Sequence, residues 1–326
     1  MNYADLLKLT DVSQKHLISI TQYDQSSLLQ VMDVALKIKG NNYAELGPQL
    51  RDRLFWNVFL EASTRTQHSF RLAIESLGGK VHDFSAQGSS IEKGESILDT
   101  FQTLALLGAD GFVFRTPSVY DILNVSHRFP QKILINAGNG SFEHPTQTIL
   151  DLVTLFETFG TIDNLRIGIY GDLCHHRAAH SLVLALNQFN PSVFLVSPSG
   201  LKLPDLFKTQ LRFSFEEIHL STFEEKIDLL KKIDVLYICP FIDYLYENYL
   251  YSFQINTSIE ELISLYKIDF KTVEKANNND LRVLHPFPRG DILDSDLDGS
   301  IYNLYFLQAG NGICTRIAIL LDLLKK

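Results

Sequence analysis

The sequence predicts an α/β fold: two doubly wound parallel-sheet domains, with a ligand site in the cleft between them. Three observations predict it. At 326 residues the chain exceeds one ordinary hydrophobic core, which points to two domains. Short apolar runs alternate with amphipathic stretches in two successive series, the pattern of strand–helix units. Polar motifs fall directly after the predicted strands, where open parallel sheets bind ligands.

Leu54 to Leu60 reads as a buried strand. A helical pattern follows from Thr66 to Leu77, closed by Gly78-Gly79, since glycine ends helices readily. Gly111 to Phe114 and Lys132 to Ile135 are the next strands. Pro145 to Phe159 reads as a helix, with proline in its first turn and Gly160 past its end. The second series has strands at Leu165 to Tyr170, Val193 to Val196, Val235 to Ile238 and Leu281 to Leu284. Gly312 to Lys326 has helical apolar spacing and is expected to return to the first domain. The expected boundaries are therefore 1–144 plus about 306–326 for one domain, and 145–305 for the other.

Hydrophobic residues make up 45% and charged residues 21%, a globular composition. Lys plus Arg is 29 against 38 for Asp plus Glu, a formal charge of −9. With no long basic run, this argues against nucleic acid or an anionic membrane as partner. An anionic ligand would need a local cluster of arginine and histidine. Cys174, Cys239 and Cys314 are far apart and form no CxxC pair, so neither a disulfide framework nor a cysteine zinc site is expected. Met1 to Asp5 shows no basic start before an apolar stretch, and no apolar run reaches membrane-spanning length. A cytoplasmic protein is expected.

Ser63-Thr64-Arg65-Thr66 lies between a strand and a helix. A helix N-terminus offers free N–H groups and partial positive charge to a phosphate. The hydroxyls add donors, and Arg65 adds a permanently charged fork. The same residues could also be a Ser/Thr cap beside a surface arginine. Arg115, before Thr116-Pro117, ends a strand; its bland role is a structural ion pair. His144 and Gln147 lie one turn apart at a helix start, where an imidazole can polarise a carbonyl and an amide can orient an NH2. They could equally be a cap and a surface glutamine. Ser89 to Glu95 is a polar loop carrying Lys93. Gly171-Asp172-Leu173-Cys174-His175-His176-Arg177 follows a strand without a GxGxxG or GKS/GKT pattern, so nucleotide binding is unsupported. Adjacent Cys174, His175 and His176 do not converge on one ion, and no metal is expected. His285-Pro286-Phe287-Pro288-Arg289 has a stiff backbone with fixed carbonyl directions. Those carbonyls can accept from an NH2, or the segment can be a plain rigid turn.

In this order and at these spacings, the motifs resemble the aspartate/ornithine transcarbamoylase family, from Lys15-His16-Leu17 to Gln308-Ala309-Gly310-Asn311-Gly312. His285-Pro286-Phe287-Pro288 and the Ser89 to Glu95 loop are similar to the aspartate branch; the ornithine branch typically carries His-Cys-Leu-Pro. The resemblance implies carbamoyl transfer from carbamoyl phosphate to the amine of L-aspartate, in pyrimidine biosynthesis, without a cofactor. It implies that Ser63, Thr64, Arg65 and Thr66 hold the phosphate, and that Arg115 bridges phosphate and carbonyl oxygen. Thr66 and His144 would stabilise that oxygen as it becomes an oxyanion. Gln147 and the Pro286-Phe287-Pro288 segment would hold the carbamoyl NH2. Arg177 would bind a carboxylate of the amino acid. Ser89 and Lys93 would act from an adjacent subunit, making a homotrimer; some relatives add a zinc-containing regulatory chain.

Three positions depart from the family pattern. Gln67 stands where arginine is usual, and Arg71 where glutamate is usual. After the strand ending at Ile238, the family carries Thr-Arg-Val-Gln-x-Glu-Arg, whose arginine and glutamine bind aspartate carboxylates. Here Pro240 and Ile242 occupy those two places, within Cys239 to Leu245 and before an aromatic stretch from Tyr244 to Tyr251. Two alternatives stay open on that ground: a transcarbamoylase for a different amine, or a non-catalytic paralogue that binds carbamoyl phosphate.

Overall fold

The computed structural model describes residues 12–41, 46–241 and 258–326. Ile242 and the aromatic stretch from Tyr244 to Tyr251 lie outside the described residues. The chain divides into two compact units, Met1–Glu157 with Gly310–Lys326, and Thr158–Ala309.

The first unit holds a five-stranded sheet in the order β1-β5-β4-β2-β3. Its strands are β1 His16–Leu17, β2 Leu54–Phe59, β3 Lys80–Ser85, β4 Gly111–Thr116 and β5 Ile133–Asn139. Every pairing is parallel. Both faces of a parallel sheet are covered, so its central strands are continuously apolar. Phe112, Val113 and Phe114 are accordingly all buried. The Phe101 ring packs edge-on against Phe112 at 4.8 Å and Phe114 at 4.7 Å, a favoured aromatic geometry. The C-terminal helix Gly312–Leu324 packs against helices Gln25–Gly40 and Thr64–Ser76.

The order of strands sets the position of the site. From β2 the chain moves outward to β3, then crosses back to β4 on the other side of β2. The carboxyl ends of β2 and β4 therefore flank a topological switch point, where open α/β sheets bind ligands.

The second unit repeats the plan in the order β10-β9-β6-β7-β8. Its strands are β6 Arg166–Gly171, β7 Ser192–Val196, β8 Ser214–Ile218, β9 Val235–Cys239 and β10 Arg282–Leu284. All pairings are parallel. The chain runs outward through β7 and β8, then returns to β9 beside β6. The second switch point lies between β6 and β9. Gly171 ends β6 with φ 111, and a Cβ there would run into the carbonyl of Cys239 at the end of β9. Only glycine allows that approach.

Two details differ from expectation. The first-domain helix starts at Thr64 rather than Thr66, so Arg65 and Thr66 sit inside its first turn. The compact units divide after Glu157, whereas the sequence suggests a break at 144/145. The reason is helix Pro145–Phe159: its residues from Pro145 to Leu155 are buried except Gln147, and they belong to the core of the first unit.

Candidate active site

In the first unit, Ser63 is the N-cap of helix Thr64–Ser76, but its side chain makes no capping hydrogen bond. Its hydroxyl and the first-turn N–H groups are thus available to an anion. Thr66 is buried and Arg65 is exposed. Partial desolvation lowers the pKa of Arg65.

Arg115 is the next-to-last residue of β4 and pairs in register with Phe59, the last residue of β2. It therefore stands across the switch point from Ser63 to Thr66. Its carbonyl accepts from the N–H of Leu60 at 2.9 Å. Its Nε lies 3.4 Å from Glu61 Oε2, with 15% of the side chain exposed. A mostly buried guanidinium needs such a countercharge.

His144 follows β5. Its carbonyl accepts from the N–H groups of Gln147 and Thr148, at 3.0 and 3.2 Å, which starts helix Pro145–Phe159. The ring is 6% exposed, with Nδ1 3.4 Å from Thr146 Oγ1. The turn before it is pinned: Glu143 Oε2 accepts from the N–H of Ile20 at 3.1 Å, and the N–H of Asn139 donates to the Glu143 carbonyl at 3.2 Å. Ser63 to Thr66, Arg115, His144 and Gln147 thus come together at the carboxyl edge of one sheet.

The unusual Gln67 and Arg71 lie four apart on the same helix face. Both engage Asp83 of β3: Arg71 pairs with it directly, and Gln67 hydrogen-bonds it. Buried Asn57 donates to the same carboxylate at 2.9 Å. Burial opposes ionisation of Asp83, but these donors, Arg71 first, hold its pKa below its ordinary value. The cation expected at 67 has in effect moved one turn along the helix.

Ser89 caps the short helix Ser90–Lys93, accepting from the N–H of Ile91 at 3.3 Å and donating to the Ala86 carbonyl at 2.6 Å. Lys93 is exposed and forms no ion pair among the described residues.

In the second unit, Asp172 follows β6 and is fully buried. Its N–H donates to the Cys239 carbonyl at 3.1 Å, tying the ends of β6 and β9 together. Its Oδ1 accepts from the N–H groups of Cys174 and His175, at 2.9 and 3.0 Å. Its Oδ2 lies 3.0 Å from His175 Nδ1. Hydrogen bonds to Asp172 and then Cys174 push the pKa of His175 up to about 10, while burial pulls His176 down to about 4. At neutral pH, His175 is therefore a cation and His176 is neutral. Arg177 opens helix Arg177–Leu186 directly afterwards.

The segment after β10 is braced from both sides. The N–H of His285 donates to Gln308 Oε1 at 2.8 Å, and His285 Nδ1 accepts from the N–H of Phe287 at 2.9 Å. Phe287 has φ 56, a left-handed value rare for an aromatic residue. Arg289 pairs with Asp298 at 2.6 Å, and Tyr305 Oη donates to the same oxygen at 2.6 Å. Pro240 is buried, and a Cβ on Gly290 would lie 2.8 Å from its Cβ. Position 240 thus packs against this turn and carries no charge. The cations of this switch point come from the β6 side, as His175 and Arg177.

Sequence reasoning passed over Glu61 and Asp151; it placed Asp172 after a strand end without giving it a role, and weighed His175 only as a metal ligand.

The family described as aspartate/ornithine carbamoyltransferase, carbamoyl-P binding domain, matches residues 15–157. Its Asp/Orn binding domain matches residues 163–323. The chain belongs to the aspartate/ornithine carbamoyltransferase family. It is a transferase. The catalytic subunit of aspartate carbamoyltransferase from Aliivibrio fischeri is 35% identical over 310 residues, 94% of this chain and 96% of that one. The corresponding subunit from Picrophilus torridus is 34% identical over 307 residues, 93% and 96% of the two chains. Among carbamoyltransferase structures, aspartate transcarbamoylase from Trypanosoma cruzi in complex with carbamoyl phosphate and aspartate superposes with a TM-score of 0.83 at 30% identity, covering 96% of each chain. The catalytic subunit of M. jannaschii aspartate transcarbamoylase gives 0.81 at 35% identity, covering 95% of this chain and 98% of that one.

Proposed function

We propose that this chain transfers the carbamoyl group of carbamoyl phosphate to the amine of L-aspartate, giving N-carbamoyl-L-aspartate and phosphate. The observation that carries the reading is the convergence of Ser63 to Thr66 and Arg115 on the two sides of the first switch point, with His144 and Gln147 at the start of the helix that follows the adjoining strand. That is a phosphate cradle with carbonyl and amide recognition beside it. The relatives named for aspartate, and the neighbour holding both substrates, support the acceptor.

The uncharged amine nitrogen attacks the carbamoyl carbon. A tetrahedral intermediate forms, the bond from carbon to the phosphate oxygen breaks, and the proton lost by nitrogen leaves with phosphate. Arg65 and the N-terminal N–H groups hold the phosphate. Thr66, Arg115 and His144 take up the charge growing on the carbonyl oxygen. Gln147 and the Pro286-Phe287-Pro288 backbone hold the NH2, and Arg177 takes an acceptor carboxylate. Ser89 and Lys93 serve a neighbouring subunit of a homotrimer; an exposed lysine that forms no ion pair among the described residues suits that part. Each preorganised oxyanion donor contributes on the order of 10²–10³ in rate, and alignment of the two substrates roughly 7–11 kcal/mol. Neither needs a cofactor.

One observation favours a second reading. Pro240 offers no charge to a substrate carboxylate, so a less acidic amine is the competing acceptor. Phosphate release is measured with carbamoyl phosphate and a panel of amines. Turnover with aspartate and not ornithine is expected. Turnover only with another amine selects the second reading, and binding without turnover selects a non-catalytic role.

A further inference from the structure

Helix Pro145–Phe159 is buried from Pro145 to Leu155 at every position except Gln147, which is half-buried. Gln147 Nε2 donates to Asp151 Oδ1 at 2.9 Å. Asp151 lies one turn further along and has no exposed surface. A primary amide has two different ends, an oxygen that accepts and an NH2 that donates. An ionised carboxylate only accepts, so it can hold only the NH2 end. The oxygen of Gln147 is then the end left for a ligand.

A buried cation interacts electrostatically with this carboxylate. Arg316, on the returning C-terminal helix, is 3% exposed. Its Nη1 donates to the Gly312 carbonyl at 2.9 Å, and its guanidinium lies 5.0 Å from the Phe70 ring centre. Burial lowers the pKa of Arg316 to about 10, and the charge of Asp151 is the strongest opposing influence. A neutral Asp151 would leave a buried guanidinium without that countercharge, a costly arrangement. Through Phe70, Arg316 also touches the helix that carries Ser63 to Thr66.

We propose that Asp151 is a positioning residue whose carboxylate fixes Gln147 with its amide oxygen toward the donor substrate, so that the site selects an NH2 over a methyl group on the same acyl phosphate. This rests on the carbamoyl-phosphate reading of the first unit. The structural alternative is a buried ion pair that only braces two helices. Such a brace would affect every ligand of the cradle alike, whereas an orienting role affects only ligands with an NH2.

The test uses the full chain and two probes, carbamoyl phosphate and acetyl phosphate, which share the phosphate and carbonyl and differ in NH2 against CH3. Calorimetry gives the two dissociation constants and their ratio. Gln147→Leu calibrates the loss of the amide. In Asp151→Asn, either end of the new amide can face Gln147, so the orientation is no longer forced. Asp151→Leu with Arg316→Met removes both charges together, which keeps the core neutral and packed. Circular dichroism verifies folding of each. Carbamoyl phosphate is expected to bind about tenfold more weakly in both variants, the size of one lost hydrogen bond, with acetyl phosphate unchanged. Variants that keep the wild-type ratio, while Gln147→Leu lowers it, overturn the proposal. Equal weakening for both probes also overturns it, in favour of the brace. A wild-type protein that binds neither probe overturns the carbamoyl-phosphate reading and the proposal with it, an outcome visible before any variant is made.

Discussion

His175 and His176 are neighbours in sequence and opposites in charge. Burial is the largest influence on His176 and lowers its pKa to about 4, outweighing the opposing charge of Asp172. His175 has the same loop but gains the carboxylate of Asp172 at 3.0 Å, with 23% of its side chain exposed. A histidine whose folded pKa is raised from 6.5 to about 10 stabilises the fold fully below 6.5, and that stability fades as pH rises toward 10. Resistance to urea should therefore fall between pH 6.5 and 10, and His175→Gln should flatten that part of the profile. An unchanged slope in the variant would mean that the Asp172–His175 pair does not hold the proton. Residues of this kind mark the limit of sequence reading. The places of Ser63 to Thr66, Arg115, His144 and Gln147 at the carboxyl side of the first sheet were legible because their segments follow predicted strands. Asp151 was not: an acidic residue inside a helix looks in sequence like any solvated carboxylate. Asp172 shows its place after a strand end but not its burial, and only zero exposure separates either residue from a solvated acid.

At the scale of the element, helix caps divide by use. Thr222 begins helix Phe223–Lys232 with a full capping box, its side chain accepting from the N–H of Glu225 while Glu225 reaches back to the Thr222 N–H. Ser63 occupies the same position on helix Thr64–Ser76 and caps nothing. Thr222→Ala should lower stability by about 1 kcal/mol, measured by urea unfolding. Ser63→Ala should stay within roughly 0.5 kcal/mol of wild type. It should nonetheless weaken carbamoyl phosphate binding about tenfold or more, the loss of a hydrogen bond to an anion. Equal destabilisation by the two substitutions would make Ser63 an ordinary cap. The strands tell a similar story about what sequence reveals. The central β4 and β5 begin with apolar runs, Gly111 to Phe114 and Ile133 to Ile135, and were legible. The edge strands β3, Lys-Val-His-Asp-Phe-Ser, and β8, Ser-Phe-Glu-Glu-Ile, are mostly exposed and polar. They are held as strands by their pairing with β2 and β7, which no local pattern announces. The two-residue β1 is too short to carry a period.

For the whole molecule, a net charge of −9 makes an anionic substrate unwelcome except where cations are gathered. Arg65 and Lys93 are two such cations, both exposed and both in the first unit. If Lys93 completed the site of its own chain, a protein lacking Lys93 and a protein lacking Arg65 would each be dead, and a mixture of them would be dead too. A closed trimer in which each site takes Arg65 from one subunit and Lys93 from the next behaves differently. Every mixed trimer then contains one site with both cations, whichever variant is in the majority. After subunit exchange between equal amounts of Arg65→Ala and Lys93→Ala proteins, the mixture should recover about a quarter of the wild-type rate, the share of intact sites in randomly assembled trimers. Exchange is verified by mass spectrometry of differently labelled subunits, and phosphate release gives the rate. Neither variant removes a buried group, so loss of folding is not the expected cause of inactivity. A mixture that exchanges subunits fully and stays inactive would put Lys93 in its own chain's site, or outside any site.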